Sequence, residues 1–299
     1  MTSSTVSELS LLETLEQTLK ADVSVSLLAE IERELLRLRC ELSAADWNSF
    51  CDEFPNRPLF ETLRLGSVTS QRLQGREFKL PSALLDIVMA NAFQARPSLI
   101  LSAAHTIGAW EYSLPVSRSM RARKTYFARE IAETIRVAVK PRILILGGHP
   151  WLEASDALQA SHLHHAEFIA LEPEPHNHHQ LRIEIGNWSD LVRLGPSLGF
   201  FDLIYSTTWL DSTGNSEAAC WLDTAVDLLR SGGRLLAANF APGSRDVGWS
   251  EACWNWHPSY RSEEDLAHLA MNLKNPGIRG HAVSRDESGA SVFIEIHSI

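Results

Sequence analysis

Two glycines and an acid are the residues whose types and spacing point to chemistry. Gly147 and Gly148 close the apolar run Ile143-Leu-Ile-Leu146, and Glu172 closes a second run, Phe168-Ile-Ala-Leu171. An apolar, β-branched run ending in glycines reads as a buried parallel strand entering a tight turn before a helix, where a missing side chain lets a ligand approach the backbone. The free N–H groups at the start of that helix suit a ligand carboxylate. An acid at the end of the next strand can accept hydrogen bonds from both hydroxyls of a ribose, a charge-assisted bidentate contact. Together these are the layout of a nucleotide-type cofactor site, with Pro173 beside the acid. His149 stands where a further glycine is expected and gives up glycine's conformational freedom. Its ring points either to solvent or inward, at the ligand.

Further candidates follow along the chain. Ser206, Thr207 and Trp209 come after the run Phe201–Ser206, where such a sheet opens onto its ligand. Asp211 either orients a group there or caps a helix. The group facing the base is Ser197 or the backbone beside it, or it lies in 187–190. Five of the nine tryptophans (Trp209, Trp221, Trp249, Trp254, Trp256) fall within 48 residues. Tryptophan faces attract cations, so Trp209, Trp254 and Trp256, with Trp110 and Tyr112 from the first half, are candidates to enclose a substrate. Packing is the plainer role for any single ring. Tyr126, His149, Asn239, His257, Tyr260 and Arg261 are the candidates for catalysis or for holding an acceptor, and Arg121 and Arg123 could meet a carboxylate. Histidines cluster on both sides of the second run: His162, His164 and His165 before it, His176, His178 and His179 after it. A strand of about eight residues holds the two groups about 25 Å apart, too far for one metal. Solvated histidine is the simpler reading, and no metal is expected.

The elements that must position these residues divide the chain. Residues 1–135 read as a helical cap. Leu28, Ile31, Leu35, Leu38 and Leu42 form a 3-4-3-4 stripe, and Leu11, Leu12, Leu15 and Leu19 suggest an earlier partner helix. This hairpin packs on the rest of the chain or serves a homodimer. Ser43 and Asp46 sit where caps start a third helix, Pro55 and Pro58 break the chain, a helix begins at Ser82, and a long one runs over 116–139. Residues 136–299 alternate strand and helix, with strands at 142–146, 167–171, 191–194, 201–206 and 233–239, which implies a parallel doubly wound sheet. The ending differs: strands at 278–285 and 290–297 flank the turn Asp286–Gly289, so the last strand enters antiparallel.

Composition removes several classes. The 299-residue chain is 44% apolar and 21% charged, as ordinary globular domains are. A net charge of −10 disfavours a nucleic-acid or anionic-membrane partner. Cys40, Cys51, Cys220 and Cys253 show no CxxC spacing and read as reduced thiols in a cytoplasmic protein. No secretory signal opens the chain, and no apolar run reaches the ~20 residues of a membrane helix.

With these pieces in place, the second half resembles the class I S-adenosylmethionine (SAM)-dependent methyltransferases. Ile143–Gly148 looks like their first motif and Leu171-Glu-Pro-Glu174 like the second. Phe201–Ser206 looks like the strand-four motif and Leu229–Leu236 like the strand-five motif. The resemblance implies an α/β fold, a seven-stranded Rossmann-like sheet with an antiparallel last strand, SAM as cofactor and a small-molecule acceptor. Asn255-Trp-His-Pro-Ser-Tyr-Arg-Ser-Glu-Glu264, Asn239-Phe240 and Met120–Tyr126 are similar to bacterial methyltransferases that make 3-hydroxypalmitic acid methyl ester. Those proteins carry a Gly-Tyr-Ala-Gly-Asp core that Glu77–Asp86 lacks, so the acceptor is not carried over. The expected activity is methyl transfer to a small, partly apolar metabolite at a carboxylate or hydroxyl. A SAM cyclase or lyase releasing methylthioadenosine and a non-catalytic SAM-fold binding protein are the alternatives.

Overall fold

The computed structural model describes residues 11–19, 23–65, 103–147, 153–154, 156–157, 166–172, 182–186 and 188–299. The helices are α1 (11–19), α2 (Val25–Glu41), α3 (Ala44–Glu53), α4 (Pro58–Leu63), α5 (Ala103–Ser113), α6 (Pro115–Val137), α7 (Trp188–Leu198), α8 (Asn215–Asp227), α9 (Val247–Trp254) and α10 (Glu263–Met271). The strands are β1 (Arg142–Leu146), β2 (Glu167–Glu172), β3 (Arg182–Ile185), β4 (Phe201–Ser206), β5 (Leu229–Phe240), β6 (Ile278–Arg285) and β7 (Ser291–Ser298). The chain forms two compact units, Met1–Met120 with Gly243–His257, and Arg121–Pro242 with Pro258–Ile299. This differs from the break expected near residue 135: the division falls inside α6, and the tryptophan-rich segment after β5 belongs to the helical unit.

In the helical unit α2 forms where Ser24 caps its start, accepting from Leu27 N at 3.4 Å. Its stripe, Leu28, Ile31, Leu35 and Leu38, is buried. Helix α9 packs on α2, and the approach is close: a Cβ on Gly248 would lie 2.5 Å from the carbonyl carbon of Leu35. Only a glycine lets the backbones meet there. In α1, Leu12, Leu15 and Leu19 are buried but Leu11 is exposed, so it stands outside the expected stripe. Ser43 caps α3 as expected. Pro55 and Pro58 start helical turns rather than merely breaking the chain, since a fixed φ and a missing N–H suit first-turn positions. Asp246 accepts from Val116 N at 2.7 Å, pairing an N–H of the first turn of α6. Glu251, buried, accepts from Arg39 Nε and Trp47 Nε1, each at 2.6 Å. The expected helix from Ser82 and the segment 66–81 lie outside the described residues.

The second unit is a seven-stranded sheet in the order β3-β2-β1-β4-β5-β7-β6. Neighbours from β3 to β5 pair in parallel, and β7 runs antiparallel between β5 and β6. Ile143 to Leu146 are all fully buried because both faces of the sheet are covered, which is why β1 reads as an unbroken apolar run. Alternate residues serve opposite faces. Leu144 and Leu146 join Leu191, Trp221, Leu222 and Leu266 on one side, while Ile143 and Ile145 join Phe127, Ile131 and Ile135 of α6 on the other. Gly289, at φ +75°, closes the β6–β7 turn.

One expected strand is a helix. Leu191, Leu194, Gly195 and Leu198 recur at helical spacing, and 191–194 belongs to α7; the third strand is Arg182–Ile185, whose end is marked by the buried Gly186.

Candidate functional site

The strand order reverses between β1 and β4, and in open α/β sheets the crevice outside the carboxyl ends of the strands at such a point takes the ligand. Gly147 sits there, the first residue past β1, at φ +68°. That left-handed conformation disfavours any residue with a Cβ. Its N–H donates to Leu171 O at 3.1 Å, tying the turn to β2. Glu172 ends β2, its backbone in register with Ile185 of β3. Gly148, His149 and Pro173 lie outside the described residues, as do the six histidines flanking β2 and residue 187.

The loop after β4 folds over the end of β1. The Ser206 hydroxyl donates to Leu146 O at 2.8 Å and accepts from Trp209 N at 3.1 Å. This pins the loop to the adjacent strand and aims Trp209 at the turn. A Cβ on Gly147 would lie 1.8 Å from Trp209 Nε1 and 2.0 Å from its Cδ1, so the indole occupies the space that the glycine leaves. Trp221 meets Trp209 edge to face at 6.1 Å between ring centroids. A 3-10 turn, Leu210–Ser212, follows.

Behind this loop lies a buried polar network. Asp211 Oδ2 accepts from Arg123 Nη1 at 2.7 Å, and its Oδ1 accepts from Phe240 N at 2.7 Å. Arg123 also donates to Thr207 O at 2.6 Å and Ser291 Oγ at 2.7 Å, and its guanidinium lies 3.7 Å from the Phe240 ring centroid. Burial pushes the Asp211 carboxyl up, and the Arg123 and Arg261 charges oppose it. Arg261 donates to Leu210 O at 2.6 Å, Thr213 O at 2.6 Å, Asn239 Oδ1 at 2.7 Å and Asn215 Oδ1 at 3.0 Å. Asn239 Nδ2 in turn donates to Phe240 O at 2.9 Å and Ser259 O at 2.7 Å.

The sheet order and its antiparallel seventh strand match the Rossmann-like sheet that the sequence resemblance implies. No family model and no curated protein matches the chain. Solved structures do resemble it. A possible exported protein from Bordetella parapertussis is 12% identical with a TM-score of 0.55, over 89% of this chain and 93% of that one. Human N-acetylserotonin methyltransferase in complex with SAM is 14% identical with a TM-score of 0.43, over 77% and 70% of the two chains. Magnesium protoporphyrin IX methyltransferase from Synechocystis PCC 6803, with bound SAM, is 14% identical with a TM-score of 0.42, over 62% and 84%. The first of these likenesses, at 12% identity, concerns the fold alone.

Several residues expected at the site have other roles in the structure. Ser197, expected to face the base, lies in the last turn of α7 and donates to Leu194 O at 2.7 Å, because the strand expected before it is a helix. The segment that does follow the third strand is 187–190, where Asp190 abuts Gly186. Arg261 and Asn239 serve the scaffold rather than an acceptor, since their polar atoms are bound to protein groups. Tyr126 packs on Phe293 at 4.6 Å, and burial, aided by Glu130 and Glu295, pushes its hydroxyl up to about 12, so it is no base at neutral pH. Trp110 and Trp254 are core of the helical unit: Trp110 lies 6.3 Å from Trp249, and fully buried Trp254 donates to Glu111 Oε1 at 3.1 Å. Tyr112, Trp256 and His257 belong to the same unit, with His257 Nδ1 3.8 Å from Glu251 Oε2. Tyr260, half-buried, precedes Arg261 in the sheet unit, and Arg121 lies on α6.

Glu153 belongs to no motif that the sequence displays. It is buried in the helical residues after β1, and burial pushes its carboxyl up to about 7 against the opposing Lys124 charge. Its Oε2 has no hydrogen-bond partner among the described residues. An acid five residues after Gly148 is its one signal in the sequence. No helix among the described residues is long and apolar enough to cross a membrane.

Proposed function

We propose that this chain is a SAM-dependent methyltransferase acting on a small, partly apolar metabolite at a carboxylate or hydroxyl. The observation that carries the reading is Gly147: a left-handed glycine at the end of β1, at the switch point of a sheet with this strand order. Open α/β sheets bind their ligands outside the carboxyl ends of the strands at such a point, and this turn is where that crevice begins. In this reading the amino acid end of SAM lies beside the β1 turn, Glu172 accepts from the ribose hydroxyls, and Trp209, seated on Gly147, walls the crevice. When bound, SAM supplies a methyl group on a sulfonium. The chain's own contribution is to position the acceptor and exclude water, which can account for much of the acceleration. A carboxylate acceptor needs no base, in keeping with a Tyr126 hydroxyl that stays protonated. A cytoplasmic setting is part of the reading, supported by Cys40, Cys51, Cys220 and Cys253, which stand as thiols rather than disulfides.

One observation favours a second reading. The polar side chains expected to hold an acceptor, Asn239 and Arg261, are committed to the scaffold. SAM would then be the sole substrate: its α-amino nitrogen attacks its own γ-carbon, the carbon–sulfur bond breaks, methylthioadenosine leaves and the amine loses a proton.

Incubation of the full chain with SAM, alone and with pooled carboxylic and hydroxylated metabolites, separates the two. S-adenosylhomocysteine formed only with an acceptor supports methyl transfer. Methylthioadenosine formed from SAM alone overturns it in favour of cyclisation or lysis. No calorimetric binding of SAM removes both.

A further inference from the structure

We infer that Trp209 is the residue by which this site tells the sulfonium of SAM from the neutral thioether of S-adenosylhomocysteine. The inference rests on the proposed use of SAM. It starts from position. Trp209 follows β4, is fixed through Ser206 to the end of β1, and covers the first residue of the β1 turn. It therefore stands between the two strands whose carboxyl ends define the switch-point crevice.

Charge strengthens the assignment. A bound sulfonium needs a counter-field in a crevice that excludes water. The acid on the loop after β4 is Asp211, and both its oxygens are engaged, one with Arg123 and one with Phe240 N. The Ser206 hydroxyl is engaged as well, donating to Leu146 O and accepting from Trp209 N. The indole's π-system is a group this loop offers a cation, and tryptophan is the strongest of the aromatic faces for that purpose.

Preorganisation adds to it. Three restraints hold the ring: its own backbone N–H on Ser206 Oγ, the edge-to-face contact with Trp221, and the close seat on Gly147. A ring held in place before the ligand arrives adds no ordering cost on binding. Its attraction would be present for the charged substrate and absent for the neutral product, which favours product release.

The test is calorimetric and needs no acceptor. Wild type, Trp209→Phe and Trp209→Leu are titrated separately with SAM and with S-adenosylhomocysteine. Trp209→Leu is expected to weaken SAM by ~10-fold or more and S-adenosylhomocysteine by less than ~3-fold, with Trp209→Phe between. Retained binding of S-adenosylhomocysteine shows that the variants fold. Equal weakening of both ligands would make Trp209 only a wall, overturning this inference and leaving the proposed function standing. Wild type binding neither ligand overturns both.

Discussion

Arg123 Nη1 lies 2.7 Å from Asp211 Oδ2, with neither side chain more than 3% exposed. The pair joins α6 to the loop that seats Trp209. Two charges removed from water recover their desolvation cost only while both are present. Asp211→Ala should therefore cost about 3–5 kcal/mol, because it strands the Arg123 charge. The double change Arg123→Met, Asp211→Leu should recover part of that loss, though Phe240 N–H keeps no acceptor. Urea unfolding of wild type, single and double variants measures this. A double variant no more stable than Asp211→Ala would mean that the buried charge is not what the single change costs.

Arg261 gives a contrast between scaffold and active-site roles. Its four donor contacts hold Leu210, Thr213, Asn215 and Asn239 together beneath the β4 loop. Arg261→Ala takes the donor from the buried Thr213 carbonyl and from Asn239 Oδ1, each loss costing about 1–3 kcal/mol, and should destabilise the sheet unit before any change in chemistry is seen. Arg261→Lys cannot reproduce the fork and should rescue little. A variant with wild-type unfolding midpoint but lost turnover would make Arg261 an acceptor-holding group after all.

What the sequence discloses, and what it hides, follows from the range of the forces involved. β1 is legible because burial on both faces demands an unbroken apolar run, and Ile143–Leu146 supplies one. The β6–β7 hairpin is legible because Asp286–Gly289 is a local turn. The third strand is misplaced by a sequence reading because a short apolar segment such as 191–194 fits strand or helix, and the deciding residues Gly195 and Leu198 lie outside it. Arg261 and Asn239 resemble functional groups because many of their partners are main-chain carbonyls, which a sequence does not display. The tryptophans of 249–254 suggest a substrate-facing role because their partner, the stripe of α2, lies more than 200 residues earlier in the chain. That pairing depends on Gly248 meeting Leu35, a tertiary contact without a local signal.

Glu153 makes stability depend on pH. Its folded pKa of about 7 lies above the ordinary carboxylate value of 4.5 because burial disfavours the charged form. The folded state thus holds the proton more tightly, so Glu153's contribution is most favourable at low pH and is lost as pH rises from about 4.5 to about 7. Glu153→Gln removes that loss. The variant should gain up to about 3 kcal/mol relative to wild type at pH 8, with the gap closing toward about pH 5. Urea unfolding at the two pH values checks it, and a gap independent of pH would show that Glu153 does not titrate in this range.

Gly147 and Trp209 should be energetically coupled. An alanine at 147 meets two separate obstacles: a left-handed backbone, costing about 1–2 kcal/mol for a residue with a Cβ, and an indole whose Nε1 would stand 1.8 Å from that Cβ. The second obstacle disappears when the indole does. Gly147→Ala alone should destabilise the sheet unit by more than the backbone cost and weaken SAM by at least ~10-fold. Trp209→Ala alone should cost about 3 kcal/mol or more through lost packing, the contact with Trp221 included. In the double variant the loss should fall short of the sum of the singles by at least ~1 kcal/mol, since the clash that burdens Gly147→Ala is gone once the indole is removed. Urea unfolding of the four proteins gives the coupling. Strict additivity would mean that the loop moves aside freely from the turn, and that the seat of Trp209 on Gly147 is not a fixed feature of the site.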